Sequence, residues 1–174
     1  MIIVSPLCHV ERLAAKHNFS RALSLLAPAQ VSSFQSDLLP REKLLLAFND
    51  VLAPGPGLVA PDESIAGAIV AFGGACAPGD TVLVHCWMGV SRSPAAAYII
   101  ACARAPGEEG AIAKTLRRRS PVATPNRLLV ALADDLLGRG GRMVDAIDAI
   151  GRGSEFLGDA APFALPLDGC AEDV

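Results

Sequence analysis

Aromatic residues are scarce in this 174-residue chain, which has one Trp, one Tyr and six Phe. A deep pocket walled by aromatic rings is hard to build from so few. Charge is low as well: Asp, Glu, Lys and Arg make up 19%, and the formal net charge of −3 gives no global pull toward nucleic acid or an anionic membrane. Any anion site has to be built locally. There is no CxxC pair, and the five cysteines (Cys8, Cys76, Cys86, Cys102, Cys170) are an odd number, so neither a disulfide framework nor a structural zinc site is indicated. The longest apolar stretches, around 65–77 and 94–103, fall short of the roughly 20 residues that span a bilayer. Glu11 and Arg12 interrupt the first apolar segment early, unlike a secretory signal. The expectation is a cytoplasmic protein without a membrane or nucleic-acid partner, its oligomeric state left open.

Apolar residues are abundant, at 52%, and 30 of the 174 residues are Ala. Such a chain folds compactly, with close-packed helices around a thin Leu, Ile and Val core. Proline and glycine punctuate short elements without any repeat, which gives one domain over 1–151 and a poorly specified tail over 152–174. Met1–Val4, Ala22–Ala27, Lys43–Phe48 and Thr81–His85 read as short, nearly all-apolar strands, the kind that suits a parallel sheet covered on both faces. Helices are expected over Val10–His17, from Pro61–Glu63 through the stripe Ile65, Ile69, Phe72 and Cys76, over Ser93–Arg104, Glu108–Arg118, Pro125–Leu137 and Arg142–Ile150. Thr124 reads as a cap and Pro125 as a first helical residue. Phe163–Leu167 is a candidate extended segment. The fold class is α/β: a central, mainly parallel sheet of about four strands flanked by helices, with a helical carboxyl-terminal half.

The chemistry concentrates in His85-Cys86-Trp87-Met88-Gly89-Val90-Ser91-Arg92-Ser93, between an expected strand and an expected helix. A Cys with Arg six positions later is weak evidence. Adding the preceding His, the Gly three after the Cys and the Ser after the Arg brings the chance of coincidence to roughly one in 30,000. Five residues between Cys86 and Arg92 can wrap a loop whose backbone N–H groups point inward, a nest for a tetrahedral dianion just ahead of a helix. The same donors would stabilise a thiolate at Cys86, making it a nucleophile at neutral pH. Gly89 supplies a residue able to take positive φ, and Arg92 a planar fork matched to two phosphate oxygens. Ser93 could donate its hydroxyl to the sulfur when it departs. His85, closing an apolar strand, reads as a brace for the loop rather than an acid or base.

His85, Cys86, Gly89, Ser91, Arg92 and Ser93 resemble the signature of the cysteine-dependent protein tyrosine phosphatase superfamily, most similar to its compact dual-specificity branch and bacterial relatives. The Ala-rich helix at 93–105 and Ser120-Pro121-Val122-Ala123-Thr124-Pro125-Asn126 ahead of a Leu-rich helix extend the resemblance over Met1 to about Leu137. It implies a two-step hydrolysis of a phosphomonoester through a phosphocysteine, without cofactor or metal. Cys86 would be the nucleophile, Arg92 and the backbone of Trp87, Met88, Gly89, Val90 and Ser91 would hold the phosphate, and Ser93 would assist the second step. The resemblance also implies an acid/base Asp on a loop after a strand. Asp50, 36 residues before Cys86 and after the third expected strand, fits that place; Asp62, its competitor, fits a helix cap better. Asn126 either braces the loop, as the resemblance implies, or merely opens its helix. Trp87 either lines the pocket or covers the loop. Arg117, Arg118 and Arg119 read as a solvated helix end.

Two rival readings use the same loop: a catalytically silent phosphate or phosphoprotein reader, and a rhodanese-like sulfurtransferase. The sequence leaves the phosphomonoester open among phosphotyrosine, phosphoserine or phosphothreonine, phosphoinositide and nucleotide.

Overall fold

The computed structural model describes residues 1–34, 37, 39–155, 158 and 160–169. Strand β1 (Ile2–Pro6) runs through a short 3-10 turn into α1 (Val10–Lys16); β2 (Arg21–Leu26), α2 (Pro28–Val31) and β3 (Glu42–Ala47) follow. After a long irregular loop come α3 (Glu63–Gly74), β4 (Val82–Cys86), α4 (Arg92–Arg104), α5 (Glu109–Arg119), α6 (Arg127–Leu136), α7 (Arg142–Ile150) and β5 (Phe163–Leu165). The sheet order is β3-β2-β4-β1-β5. The first four strands are parallel, and β5 lies antiparallel on the outer side of β1, with Ile2 opposite Leu165. The fold is therefore the expected α/β class; the candidate extended segment in the tail is β5, which adds a fifth strand to the four.

Alternation along the strands sorts side chains to two faces. Ile2, Val4, Leu23, Leu25, Val82, Val84 and Cys86 enter the core shared with α3 through α7. Ile3, Ala22 and Leu83 join Val10, Leu13, Phe19 and Leu39 on the α1 side. Because β4 lies between β1 and β2, it is buried on both faces and brings its last residue to the middle of the sheet's carboxyl end. Ligands of open parallel sheets bind at that end. Helix α4 is buried from Arg92 through Cys102, and its alanines let α3, α5 and α6 close in around it.

Pro28 follows β2 and opens α2, where Gln30 Oε1 accepts the Ala27 N–H at 2.9 Å. One expectation fails at an element end. Helix α6 begins at Arg127 rather than Pro125, and its cap is Asn126 rather than Thr124. The reason is tertiary: Thr124 donates its N–H to Val90 O at 2.8 Å, and its Oγ1 accepts from Gly153 N at 3.1 Å. Those bonds hold 124–125 outside the helix. Cys170 lies outside the described residues.

Candidate active site

The loop 87–91 is formed by turning its carbonyls away from its own interior. Trp87 O accepts from Leu7 N at 3.1 Å, Val90 O from Thr124 N at 2.8 Å and Ser91 O from Asn126 N at 3.3 Å. All described peptides are trans, and a trans unit opposes its C=O and N–H. The N–H groups of Met88, Ser91 and Arg92 therefore point the other way, into the loop. Gly89 donates its N–H to Cys86 Sγ at 3.3 Å, and Ser93 Oγ donates to the same sulfur at 3.1 Å. Two donors thus converge on the sulfur of Cys86, a residue only 2% exposed, beside the amino terminus of α4.

Gly89 is required twice over. Its φ is +72°, and a Cβ there would stand 2.7 Å from Pro6 N, 2.9 Å from Pro6 Cδ and 3.1 Å from Ser5 C. Pro6 is held opposite Cys86 by the β1–β4 register, so that backbone has nowhere to retreat.

Arg92 is 5% exposed and folds back over the Phe48 ring, its Cζ 5.9 Å from the centroid. Its Nη1 donates to Phe48 O at 2.9 Å, while its Nε is buried without a hydrogen-bond partner. A buried guanidinium N–H left open beside a ring of backbone donors is suited to an oxyanion. Asp50 follows β3 and is held at the mouth of the loop, its side chain 36% exposed and Oδ2 at 4.0 Å from Arg92 Nε. Ser91 Oγ donates to Asp50 Oδ1 at 2.7 Å, and Asn126 Nδ2 donates to the same oxygen at 2.8 Å and to Val51 O at 3.2 Å. The Ser91 hydroxyl is thus committed to Asp50. Asn126 Oδ1 accepts the Leu129 N–H at 3.0 Å, capping α6, while its side-chain amide holds the Asp50 loop; the phosphate loop it meets only through its backbone N–H on Ser91 O. Asp62 caps α3 by accepting Ile65 N–H at 2.9 Å.

His85 faces the α1 side. Its Nε2 lies 2.7 Å from Ser24 Oγ, its ring packs on Phe34 at 4.9 Å, and its Nδ1 has no partner. Burial pulls its pKa down to about 4, so the imidazole is neutral at pH 7. The Trp87 and Met88 side chains are 48% and 44% exposed.

One residue near the site runs against the sequence expectation. Arg117 is not a solvated helix end: its Nη1 donates to Pro121 O at 2.7 Å and Ala123 O at 2.8 Å, and its Nη2 to Gly151 O at 2.6 Å. Burial lowers its pKa from the usual arginine value. This guanidinium ties together the 120–126 segment that in turn holds the carbonyls of Val90 and Ser91. A basic triplet at a helix end carries no sign of which arginine turns inward.

No family model and no curated protein sequence matches the chain. Among solved structures it is similar to the Yvh1 phosphatase domain from Chaetomium thermophilum, at 21% identity and a TM-score of 0.55, with 82% of this chain and 93% of that one covered. It is also similar to PTPMT1 in complex with PI(5)P, at 13% identity and a TM-score of 0.53, covering 80% of this chain and 94% of that one. The likeness is one of fold, and it is the fold that the 85–93 segment led us to expect.

Proposed function

We propose that the chain is a cysteine-dependent phosphomonoesterase of the protein tyrosine phosphatase superfamily. The observation that carries the reading is the convergence on Cys86 Sγ of the Gly89 N–H and the Ser93 hydroxyl, with the buried Nε of Arg92 left open beside it. The fold shared with a phosphatase domain supports it.

In the first step the sulfur of Cys86 forms an S–P bond as the bond from phosphorus to the leaving oxygen breaks. Asp50 gives that oxygen a proton. The inward N–H groups and Arg92 hold the equatorial oxygens, where negative charge gathers. In the second step a water attacks phosphorus, passes its proton to Asp50, and the S–P bond breaks. Ser93 Oγ, already aimed at Sγ, stabilises the sulfur as it leaves. Asn126 and Ser91 keep Asp50 at the mouth through both steps. His85, neutral and on the far face of β4, braces the strand end.

A rhodanese-like sulfur transfer gives neither Ser93 nor Asp50 a task. A silent phosphate reader would need no acid held at the mouth. The test is hydrolysis of p-nitrophenyl phosphate by the unmodified chain and two variants. Cys86→Ser is expected to abolish turnover while still binding vanadate, and Asp50→Asn to cost about 10²- to 10⁴-fold in kcat. Full activity in Cys86→Ser refutes the assignment; vanadate binding without turnover by the unmodified chain establishes the silent reader. The substrate panel includes a phosphoinositide, since PTPMT1 was crystallised with PI(5)P.

A further inference from the structure

Large apolar side chains are exposed at eight places among the described residues, and five of them stand on the two loops that frame the cradle. Leu52, Leu58 and Val59, on the loop that carries Asp50, are 66%, 45% and 46% exposed, and Trp87 and Met88 on the phosphate loop are 48% and 44%. Backbone bonds fix their placement. Asn49 and Val59 pair through Asn49 N to Val59 O at 2.7 Å, with Val59 N on Asn49 Oδ1 at 2.9 Å, which brings Val59 back beside Asp50. Ser91 ties that loop to the phosphate loop through Asp50. Scattered exposed apolar residues need no explanation, but five of eight on two loops joined through Asp50 are not scattered, and exposed apolar patches mark binding surfaces.

Next to this collar lies a cavity of about 630 Å³ that starts at Asp50 and Ser91; Leu52, Pro125 and Ile147 give it an apolar side, and Thr124, Asn126 and Asp148 line the rest with two arginines. Of the two cations lining it, Arg127 is already paired with Asp148, through Nη2 to Oδ2 at 3.0 Å; Arg152 is the other.

Resting on the phosphatase reading, we propose that Leu52, Leu58, Val59, Trp87 and Met88 are specificity determinants that select phosphorylated polypeptide segments with bulky apolar residues flanking the phosphorylated one. One flanking side chain enters the Leu52–Pro125–Ile147 cavity. The phosphate cradle at the centre of the collar names the occupant: whatever covers these residues carries the phosphate. Residues 49–60 and 87–91 contain no Lys or Arg, so acidic flanks, as well as the further phosphates of nucleotides and inositol phosphates, find no cation in the collar itself; Arg152 stands in the cavity beyond it, and the flank that enters there meets the Leu52, Pro125 and Ile147 side. The same lack, with a net charge of −3, argues against an anionic lipid surface as the occupant. An apolar flank takes water off both partners instead.

The experiment compares two phosphotyrosine dodecapeptides, one with Leu and one with Glu on both sides of the phosphorylated residue, and PI(5)P in phosphatidylserine-containing vesicles, with p-nitrophenyl phosphate as reference. The expected result is a kcat/KM at least tenfold higher for the Leu-flanked peptide than for the Glu-flanked one. In Leu52→Ser/Leu58→Ser that ratio falls toward one. Equal kcat/KM on the two peptides, with p-nitrophenyl phosphate turned over, overturns the collar and leaves the phosphatase reading standing. No turnover of p-nitrophenyl phosphate overturns the phosphatase reading, and the collar falls with it. Vesicular lipid hydrolysed faster than either peptide assigns the collar to a lipid and also overturns the proposal. The peptide comparison on the unmodified chain needs no variant to fold.

Discussion

Gly89→Ala tests the geometry of the phosphate loop at its tightest point. Holding an alanine at φ +72° costs about 1–2 kcal/mol in strain alone. Its Cβ would also meet Pro6 N at 2.7 Å and Ser5 C at 3.1 Å, both backbone atoms fixed by the β1–β4 pairing, so the loop must turn its peptide instead. Turning it withdraws the Gly89 N–H from Cys86 Sγ. A hydrogen bond to a charged group contributes about 1.5–3 kcal/mol, which corresponds to roughly a 10- to 150-fold loss in kcat/KM. Gly79→Ala is the control: Gly79 has φ +88° in the turn before β4, and a Cβ there meets nothing within 4 Å. It should lose stability by the strain term and keep its activity. Denaturant unfolding of both variants, with p-nitrophenyl phosphate kinetics, separates strain from collision. If Gly89→Ala is no less stable than Gly79→Ala and as active as the unmodified chain, the reasoning about this loop is wrong.

Two further outcomes are expected. Asn126→Ala loses the α6 cap, about 0.5–2 kcal/mol, and one of the two donors to Asp50, lowering kcat about tenfold with little change in KM. Asn126→Asp keeps an acceptor for Leu129 N–H but sets a carboxylate against Asp50, so stability should recover while kcat does not; recovery of both would reduce Asn126 to a helix cap. For His85, whose pKa burial lowers from 6.5 to about 4, the unfolded chain takes up the proton first as pH falls. Its contribution is therefore complete above about pH 6.5 and is lost as pH drops toward 4, by roughly 3 kcal/mol in all. Urea unfolding of the unmodified chain and His85→Gln across that window should show their stability difference narrowing by that amount, and a difference independent of pH would count against a neutral buried imidazole.

The 85–93 segment was legible because its residues are contiguous: a strand end, a loop and a helix start within nine residues set inward N–H groups around Cys86 by local geometry. The parallel strands and their helices were legible for a related reason, since buried strands and amphipathic helices write their periods along the chain. Asp50 was singled out because the resemblance implies an Asp on a loop after a strand, and the structure holds it beside Ser91 and Arg92. What the residues alone did not reveal is how distant segments meet. The two tasks of Asn126 depend on α6 starting beside the loop of Asp50, 76 residues away in the chain. The inward turn of Arg117 needs the carbonyls of 121, 123 and 151 gathered around it, and the necessity of Gly89 lies in β1, whose Pro6 it faces. That 163–167 is extended could be read from the residues; that it pairs antiparallel with β1 is decided by the open edge β1 offers. Side-chain type and period are properties of the chain; which carbonyl, which edge and which apolar rim a residue meets are decided only when the sheet and its helices close on one another.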